Sequence, residues 1–402
     1  MESVISKGYR QTDVGPLPTD WDVKKLGDIF TIGHGKSQHL IACDYGAYPI
    51  LGTGGRMGLT NHFLYDKPSV LIGRKGTLDK PQYIDIPFWT IDTLFFTRFN
   101  SNYSPKYVFF VAQTIKWSSY SEASGVPSLT GNIIEKIQIP IPPTLIEQTN
   151  IAIALSDMDV LIENTEKLIA KKTDIKQGTM QQLLTGKTRL PGFSGEWEVK
   201  RLGELGLTYG GLTGKTKSDF GEGAARYITF MNVMTNVKID CDTFEQVTVS
   251  STEVQNYAMK GDLFFNGSSE TPEEVAMCAV LLNEVDNVYL NSFCFGFRFH
   301  NRIESSGLFF AYYFRSKEGR ELMKSLAQGS TRYNLSKAAF LKSPIRLPPF
   351  PEQTAIAEVL SDMDSEIAAL ERDLKKYQDM KQGMVQELLT GRTRLPKEVI
   401  NG

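Results

Sequence analysis

The sequence has few residues of the kinds that hold metals or form disulfides. Its 402 residues include four cysteines and four histidines, and no two cysteines are spaced as a CxxC pair. The eight residues are Cys43, Cys241, Cys278, Cys294, His34, His39, His62 and His300. Their spacing disfavours a metal site and predicts reduced thiols, which are typical of a cytosolic protein.

Long apolar runs and a basic excess are missing as well. No segment approaches the ~18 apolar residues that a membrane helix needs, and the N-terminal residues contain no apolar signal region. The sequence therefore predicts a cytoplasmic protein without a membrane partner. Because 44 basic residues face 46 acidic ones, the overall charge gives no support for a nucleic-acid partner, and any DNA role has to rest on local features.

Motifs that would make the chain an enzyme are also missing. The segment GGLTGKT at 210–216 is similar to a phosphate loop, but the pattern requires glycine at position 209, which is Tyr209. The segment LGTGGRMG at 51–58 lacks the Lys-Ser/Thr pair and is typical of a turn with positive φ angles. We find no catalytic constellation, so we predict a non-catalytic chain without a cofactor or metal of its own.

What the sequence does contain is a repeat. Residues 147–191 align with residues 352–396 without a gap, and 26 of the 45 positions are identical. Both copies begin with EQT and end with LLTG-K/R-TRLP. Such similarity over this length indicates an internal duplication rather than chance.

Each copy has apolar residues in steps of four and three, which predicts a long helix with one narrow apolar seam. Gly186 and Gly391 lie where such helices would end. Each helix would be about 55 Å long, and the other copy is the nearest partner for its seam. We expect an antiparallel intramolecular coiled coil, although the length of the connection permits either direction. The predicted pairing residues are Leu155, Met158, Ile162, Ile169, Leu360, Met363, Ile367, Leu370 and Leu374.

The segments before each helix share borders but hardly match inside. Each begins with a Trp-x-Val-Lys motif at Trp21 or Trp197 and ends in a double proline. Their interiors predict mixed β-structure with short helices: SVLIG, LFFTRF, GDLFFNG and CFGFRFH as strands, and YVFFVAQTIKW and LFFAYYFRSKEGREL as helical. The fold class is therefore α+β, with two related globular domains and two long helices about a pseudo-two-fold. The predicted boundaries are 1–146, 147–188, 189–351, 352–396 and a tail at 397–402.

This organisation resembles the specificity subunit of type I restriction–modification enzymes. The resemblance lies in IEQTNIAIALSDMD and PEQTAIAEVLSDMD at the helix starts, in KQGTMQQLLTGKTRLP and KQGMVQELLTGRTRLP at their ends, and in the Trp-x-Val-Lys openings. It implies two target-recognition domains that each read half of a split double-stranded DNA site. It further implies that the helices set the spacing and dock two methylase subunits, with nuclease/translocase subunits in a larger complex. S-adenosylmethionine, ATP and Mg would belong to those partners.

Polar loops flanked by glycine at the ends of predicted strands are the candidate DNA contacts, because base edges are read by Arg, Lys, Asn and Gln, and phosphates also by Ser and Thr. In the first domain they are Lys36, Gln38, Arg56, Arg74, Lys75 and Thr77. In the second domain they are Lys215, Lys217, Asn266, Ser268, Ser330, Thr331, Arg332, Tyr333 and Asn334. Each of these residues could equally lie in a solvated surface turn.

Two other functions stay open on the sequence alone. The chain could be an assembly scaffold or inhibitor of restriction–modification complexes that does not read DNA itself. It could also be a DNA-modifying enzyme, which the missing cofactor loop disfavours. The sequence gives neither the target bases nor the length of the gap between half-sites.

Overall fold

The computed structural model describes residues 7–121 and 125–395, and the chain divides into two compact units. One unit contains the residues up to Glu166 and from Arg372 onward, and the other contains Lys167–Glu371. The predicted tail at 397–402 and Pro396 lie outside the described residues. Within the described ranges, no helix is both long and apolar enough to cross a membrane.

The first unit consists of short strands, short helices and parts of two long ones. The strands are β1 Tyr9–Thr12, β2 Gly15–Pro18, β3 Asp22–Lys25, β4 Phe30–His34, β5 Ala42–Cys43, β6 Tyr48–Gly52, β7 Gly55–Thr60, β8 Ser69–Gly73, β9 Gln82–Ile84, β10 Trp89–Thr90, β11 Leu94–Phe99 and β12 Gln138–Ile141. The helices are α1 Leu26–Ile29, α2 Pro105–Thr114, α3 Gly131–Lys136 and the beginning of α4 Leu145–Leu183.

The second unit has the same kinds of elements. The strands are β13 Glu198–Arg201, β14 Gly206–Gly210, β15 Phe220–Ile228, β16 Glu245–Val247, β17 Leu263–Asn266, β18 Ser268–Ser269, β19 Cys278–Val280, β20 Val288–Leu290, β21 Cys294–Phe299, β22 Ala327–Gln328, β23 Tyr333–Leu335 and β24 Pro344–Leu347. The helices are α5 Leu202–Leu205, α6 Phe230–Thr235, α7 Gly307–Arg315, α8 Lys317–Ser325, α9 Lys337–Lys342 and the beginning of α10 Phe350–Leu388.

The two globular domains share one sheet topology. The first contains a sheet in the order β4-β11-β8-β9, and the second contains β14-β21-β17-β19, with every neighbouring pair antiparallel. A second sheet places β10 parallel to β6 and β7 antiparallel to it, as β20 and β16 flank β15. The opening strand pairs with the closing strand in both domains, β3 with β12 and β13 with β24. The duplication therefore includes the domain interiors, although their sequences hardly match.

A pair of positions shows why the interiors do not align. On β4, Gly33 lies opposite Phe96 of β11, and a Cβ at Gly33 would overlap the Phe96 ring. In the second domain the corresponding pair is reversed, because Tyr209 of β14 lies opposite Gly296 of β21 and its ring fills the space of a Gly296 side chain. The same volume is filled from opposite strands, so the packing is kept while the residues at each position differ.

We expect Gly33→Ala to destabilise the first domain by about 1–3 kcal/mol, because the added methyl group must displace the buried Phe96 ring. Gly58→Ala is the matched control, since its Cβ would meet nothing closer than 3.9 Å. Urea unfolding of the full chain measures both variants. Combining Gly33→Ala with Phe96→Leu should cost less than the two single changes together, and simple additivity would contradict the proposed overlap.

The predicted strands are confirmed at β8, β11, β17 and β21. The helical prediction for LFFAYYFRSKEGREL is correct in type but it covers two helices, α7 and α8. The break is at Ser316, whose backbone is extended and whose hydroxyl accepts a hydrogen bond from the amide of Gly319, which caps the second helix.

The two long helices are antiparallel where they meet. In the first unit, Lys381 Nζ lies 2.5 Å from Asp159 Oδ1, which joins the beginning of α4 to the end of α10. In the second unit, Lys172 lies 2.7 Å from Glu366, which joins the end of α4 to the beginning of α10. The predicted seam is confirmed in direction, and the buried Thr165 continues it between Ile162 and Ile169.

Each unit has a main core that includes this seam. In the first unit Leu155 and Leu388 pack in one cluster with Trp21 and Phe95. The corresponding cluster of the second unit contains Leu183, Leu360, Trp197 and Phe295. The apolar faces of the helices are thus buried against the sheets as well as against each other, which fixes the orientation of each domain on its helices.

The repeated TRLP segments make equivalent contacts after the two long helices, which gives the repeated sequence a structural role. After each long helix, Gly186 and Gly391 adopt positive φ angles of 70° and 68° and turn the chain back. In the first unit Arg394 then bonds Glu147 with distances of 2.5 and 2.8 Å, and Asp20 with 2.9 and 3.0 Å. We call these three residues the first clamp. The hydrogen bonds to Asp20 and Glu147 raise the pKa of Arg394 above its ordinary value.

The second unit repeats this contact. Arg189 bonds the carboxylate of Glu352 through Nε and Nη2, and the Glu352 side chain is fully buried. This pair is the second clamp. Each clamp links the TRLP segment that follows one long helix to the first turn of the other long helix. The two TRLP segments therefore make equivalent contacts in the two units.

Candidate nucleic-acid interface

Each domain brings two loops together at the same end of its main sheet. In the first domain the backbones of Lys75 and Ser128 form an antiparallel β-bridge, and the amide of Leu129 donates to the carbonyl of Arg74 at 2.9 Å. We call Gly73–Leu78 with Pro127–Leu129 loop pair 1.

The second domain has the corresponding arrangement. Ser268 pairs with Asn334, and the amide of Leu335 donates to the carbonyl of Gly267 at 3.1 Å. We call 267–277 with 328–335 loop pair 2. The register makes Lys75 equivalent to Ser268 and Ser128 equivalent to Asn334. Both loops of each pair therefore correspond between the two domains.

Loop pair 1 presents two cationic side chains. Arg74 is half-buried, donates from Nη1 to the carbonyl of Asp92 at 3.3 Å, and lies 5.9 Å from the centre of the Phe95 ring. Lys75 and Thr77 are exposed beside it. The amide of Lys36 donates to the carbonyl of Thr90 at 2.8 Å, two residues before the Asp92 that Arg74 contacts, and Lys36 is exposed. These side chains can supply donors to base edges or to phosphates.

Two further candidates of the first domain lie on neighbouring segments. Gln38 is half-buried in the loop after β4, and Arg56 is exposed at the start of β7. The hairpin that carries Arg56 approaches loop pair 1, because a Cβ on Gly76 would lie 4.0 Å from Thr53 Oγ1. Within the part of the chain that the structure describes, no hydrogen bond joins Gln38 to Arg74.

Loop pair 2 gathers most of the candidates of the second domain. Ser330, Thr331, Arg332 and Asn334 are exposed on the hairpin formed by β22 and β23, and Tyr333 is half-buried. Arg332 donates from Nε to Ser268 Oγ at 3.2 Å, and its guanidinium lies 5.7 Å from the centre of the Phe293 ring. The hairpin and the loop after β17 therefore form one surface.

Asn266 does not have the position that the sequence suggested. Its side chain is completely buried: Nδ2 donates to the carbonyls of Ser268 and Glu274 at 3.1 and 2.9 Å, and Oδ1 accepts from the amide of Met277 at 2.6 Å. A side chain whose donors and acceptor are used inside the loop has none available for a base. The expected DNA contact is corrected to a structural role that holds loop pair 2 in shape.

Lys215 and Lys217 lie on a different loop from the other candidates. The Lys215 ammonium group is almost buried and bonds Glu253, with 2.6 Å between the closest atoms, and the carbonyl of Thr248 at 2.6 Å. The Lys215 hydrogen bond is the main cause that lowers the pKa of Glu253 to about 2. A DNA contact by Lys215 would have to break this pair, whereas Lys217 is exposed.

Comparison with known proteins agrees with this arrangement. Residues 18–172 and 194–377 each match the family described as type I restriction modification DNA specificity domain. Together they make up most of the chain. The chain belongs to the type I restriction-modification DNA specificity family. The resemblance inferred from the repeat motifs is therefore confirmed, and the specificity domain occurs twice.

Relatives of this family cover nearly the same length. The chain is 25% identical to the type I restriction enzyme MjaVIII specificity subunit of Methanocaldococcus jannaschii, over 94% of both chains. It is 26% identical to the MjaIX specificity subunit of the same organism, over 66% of this chain and 70% of that one. The crystal structure of the type I restriction-modification S subunit from M. genitalium has the same fold, with a TM-score of 0.62, 15% identity, and coverage of 92% and 96%.

Several residues of this specificity domain were missed by sequence reasoning. Arg320 of α8 lies behind loop pair 2 and donates to the carbonyls of Glu273, Val275 and Ala276. Burial lowers the pKa of Arg320 to about 10, so the side chain stays cationic at neutral pH. It supports a backbone that is strained at Ala276, where φ is 55°. Only its place in the fold identifies this role, because some 45 residues separate Arg320 from the carbonyls it holds.

Phe293 was missed for another reason. Its side chain is 59% exposed at the turn before β21, beneath the guanidinium of Arg332. Large exposed aromatic side chains next to cations are frequent at binding surfaces. The signal available in the sequence was an aromatic residue in the Asn-Ser-Phe-Cys turn, where the strand pattern alone did not require one.

Proposed function

We propose that the chain directs a type I restriction-modification complex to a split DNA sequence, with each globular domain reading one half. The observation that carries this proposal is the pair of equivalent loop sites, which have one backbone arrangement and different side chains. A shared frame with different polar groups is what two readers of different short sequences require.

The partners follow from the same proposal. Two methylase subunits would dock on the paired helices, and nuclease/translocase subunits would join the larger complex. S-adenosylmethionine, ATP and Mg would be bound by those subunits, and this chain would contribute no catalytic group. Because the chain has a net charge of −2, it neutralises few phosphates, and its affinity for DNA should be weak without the partners.

A genome-wide map of methylated adenines tests the proposal. Cells that express this chain with its cognate methylase subunits should show a split motif, and cells that lack only this chain should not. An active, co-purifying methylase without any motif would instead identify the chain as a scaffold that does not read DNA.

The Arg332→Ala variant tests which domain reads which half. We expect it to relax the motif in one half only, with a loss of about 1–3 kcal/mol of discrimination at the position that Arg332 contacts. Arg302→Ala is the matched control, because Arg302 is exposed in the same domain outside loop pair 2. Arg74→Ala should relax the other half. If either substitution changed both halves equally, the assignment of one half to each domain would be wrong.

A further inference from the structure

Loop pair 2 borders a groove that is lined by cationic and anionic side chains. Its volume is about 790 Å³, and it is lined by α6 on one side and by the two loops on the other. The polar side chains that line it include Arg332, Thr331, Ser269, Glu270 and Glu274. A groove that faces DNA is expected to exclude carboxylates unless they have a partner there, because phosphates repel them.

The cation of this groove, Arg332, makes two contacts with loop pair 2 and its surroundings. Arg332 uses Nε on Ser268 and rests its planar group near the Phe293 ring, 5.7 Å from the centre. In residues 7–121 and 125–395 no group accepts a hydrogen bond from its two terminal nitrogens. These nitrogens form the edge that matches the O6 and N7 acceptors of guanine in the major groove.

The two carboxylates differ in availability. Glu274 accepts hydrogen bonds from Ser269 Oγ at 3.2 Å and Thr271 Oγ1 at 3.1 Å, so it is used within the loop. Glu270 is exposed, and the described part of the chain gives it no hydrogen bond or ion pair. An acid that is neither paired nor needed for the loop is free to accept from a ligand.

The first domain has different charges at the equivalent positions. Counting from the matched residues Lys75 and Ser268, Thr77 corresponds to Glu270 and Arg74 corresponds to Gly267. Loop pair 1 therefore presents donors in its first loop, whereas loop pair 2 presents an acceptor there and keeps its donor on the second loop. The two domains offer DNA different patterns of donors and acceptors on one frame.

We propose that Glu270 and Arg332 are specificity-determining residues that together read a G·C pair in the second half-site. Arg332 donates to guanine O6 and N7, and Glu270 accepts from the N4 amino group of cytosine. The donor on cytosine balances the carboxylate, which would otherwise only repel the duplex. Asn266 and Arg320 act as positioning residues, because they hold the loop that carries Glu270.

This inference rests on the proposed function, and Glu270→Ala, which removes the acceptor, separates the two. The variant should fold normally, since Glu270 has no partner within the described residues. Its methylated-adenine map, with the cognate methylase subunits present, should keep the first half-site and the gap. In the second half-site one cytosine should become degenerate, with discrimination reduced roughly 5- to 150-fold. Glu284→Ala is the matched control, as Glu284 forms an exposed pair with Lys260 at 3.5 Å.

The outcomes distinguish the two proposals. A wild-type motif whose second half contains no G·C pair would overturn the role of Glu270 and Arg332 while supporting split recognition. An unchanged motif with Glu270→Ala, or stronger methylation of the same motif, would show that the carboxylate only repels phosphates and would also overturn it. The absence of any wild-type motif would overturn the proposed function itself. Degeneracy at one cytosine, together with an unchanged Glu284→Ala map, would support the inference.

Discussion

Replacing Arg394 with methionine should destabilise the first unit by about 2–4 kcal/mol, because the change leaves the Glu147 carboxylate without its cation. The Glu147 side chain is only 8% exposed, so water cannot replace the lost bonds. The range lies below that of a fully buried pair, since Arg394 is one-third exposed and Asp20 about half. Urea unfolding gives the free energy, and hydrogen exchange locates the effect in the residues of α4 and α10 that belong to this unit.

Two comparisons make this test specific. Lys24→Met removes an exposed pair with Asp22 in the same unit and should cost less than about 1 kcal/mol. Replacing Arg394 and Glu147 together by methionine should cost less than replacing Arg394 alone, because no unpaired buried charge remains. If Arg394→Met behaved like Lys24→Met, the first clamp would not stabilise the helix ends.

Inserting one heptad into each long helix should lengthen the unspecified gap of the recognised DNA by about three base pairs. Seven residues add about 10.5 Å to a helix, and each base pair adds about 3.4 Å to the duplex. Insertions after Glu166 and after Glu371 keep the Asp159–Lys381 and Lys172–Glu366 pairs in register, because one pair lies on each side of both insertion points. The map of methylated adenines gives the gap directly.

The variant with one heptad inserted into each long helix should methylate DNA more slowly. Three base pairs turn the duplex by roughly 100°, whereas one heptad turns a helix by only about 20° from its start. Insertion into α4 alone, for example near Thr179, is the contrasting variant, since it moves the second clamp out of register with the seam. A gap that stayed unchanged in the double insertion would refute the role of the helices as a spacer.

The long helices could be predicted because their evidence is periodic and local. The sequence shows directly the apolar seam through Leu155 and Leu360, the glycines after the helices and the duplicated helix ends. Their direction does not follow from the sequence, since a connection of about 160 residues permits either one. The Asp159–Lys381 pair resolves it, yet ion pairs of this kind cannot be selected from the many charges on a helix surface.

The domain interiors were harder to predict because packing conserves volume rather than residue type. Nothing in the letters relates Gly33 to Tyr209, although the two residues occupy equivalent positions in one sheet. The candidate site was predicted only in part, and the reason is related. A polar residue in a loop looks the same whether it faces solvent or, as Asn266 does, turns inward to bond the backbone. Candidate DNA contacts were selected from the sequence mainly as cations and amides. Glu270, which lies in the same loop as Asn266, was therefore not selected.

The reversed pairs Gly33–Phe96 and Tyr209–Gly296 also limit which hybrid genes can give a folded product. A crossover that joined β14 to β11 would place the rings of Tyr209 and Phe96 in one space, and the reciprocal product would leave a ring-sized hole between two glycines. Crossovers in the repeat, where 26 of 45 positions are identical, carry both strands of a sheet together. Inheritance should therefore pass these domains on as whole modules, and new combinations of half-sites can arise in a single genetic exchange without a new fold.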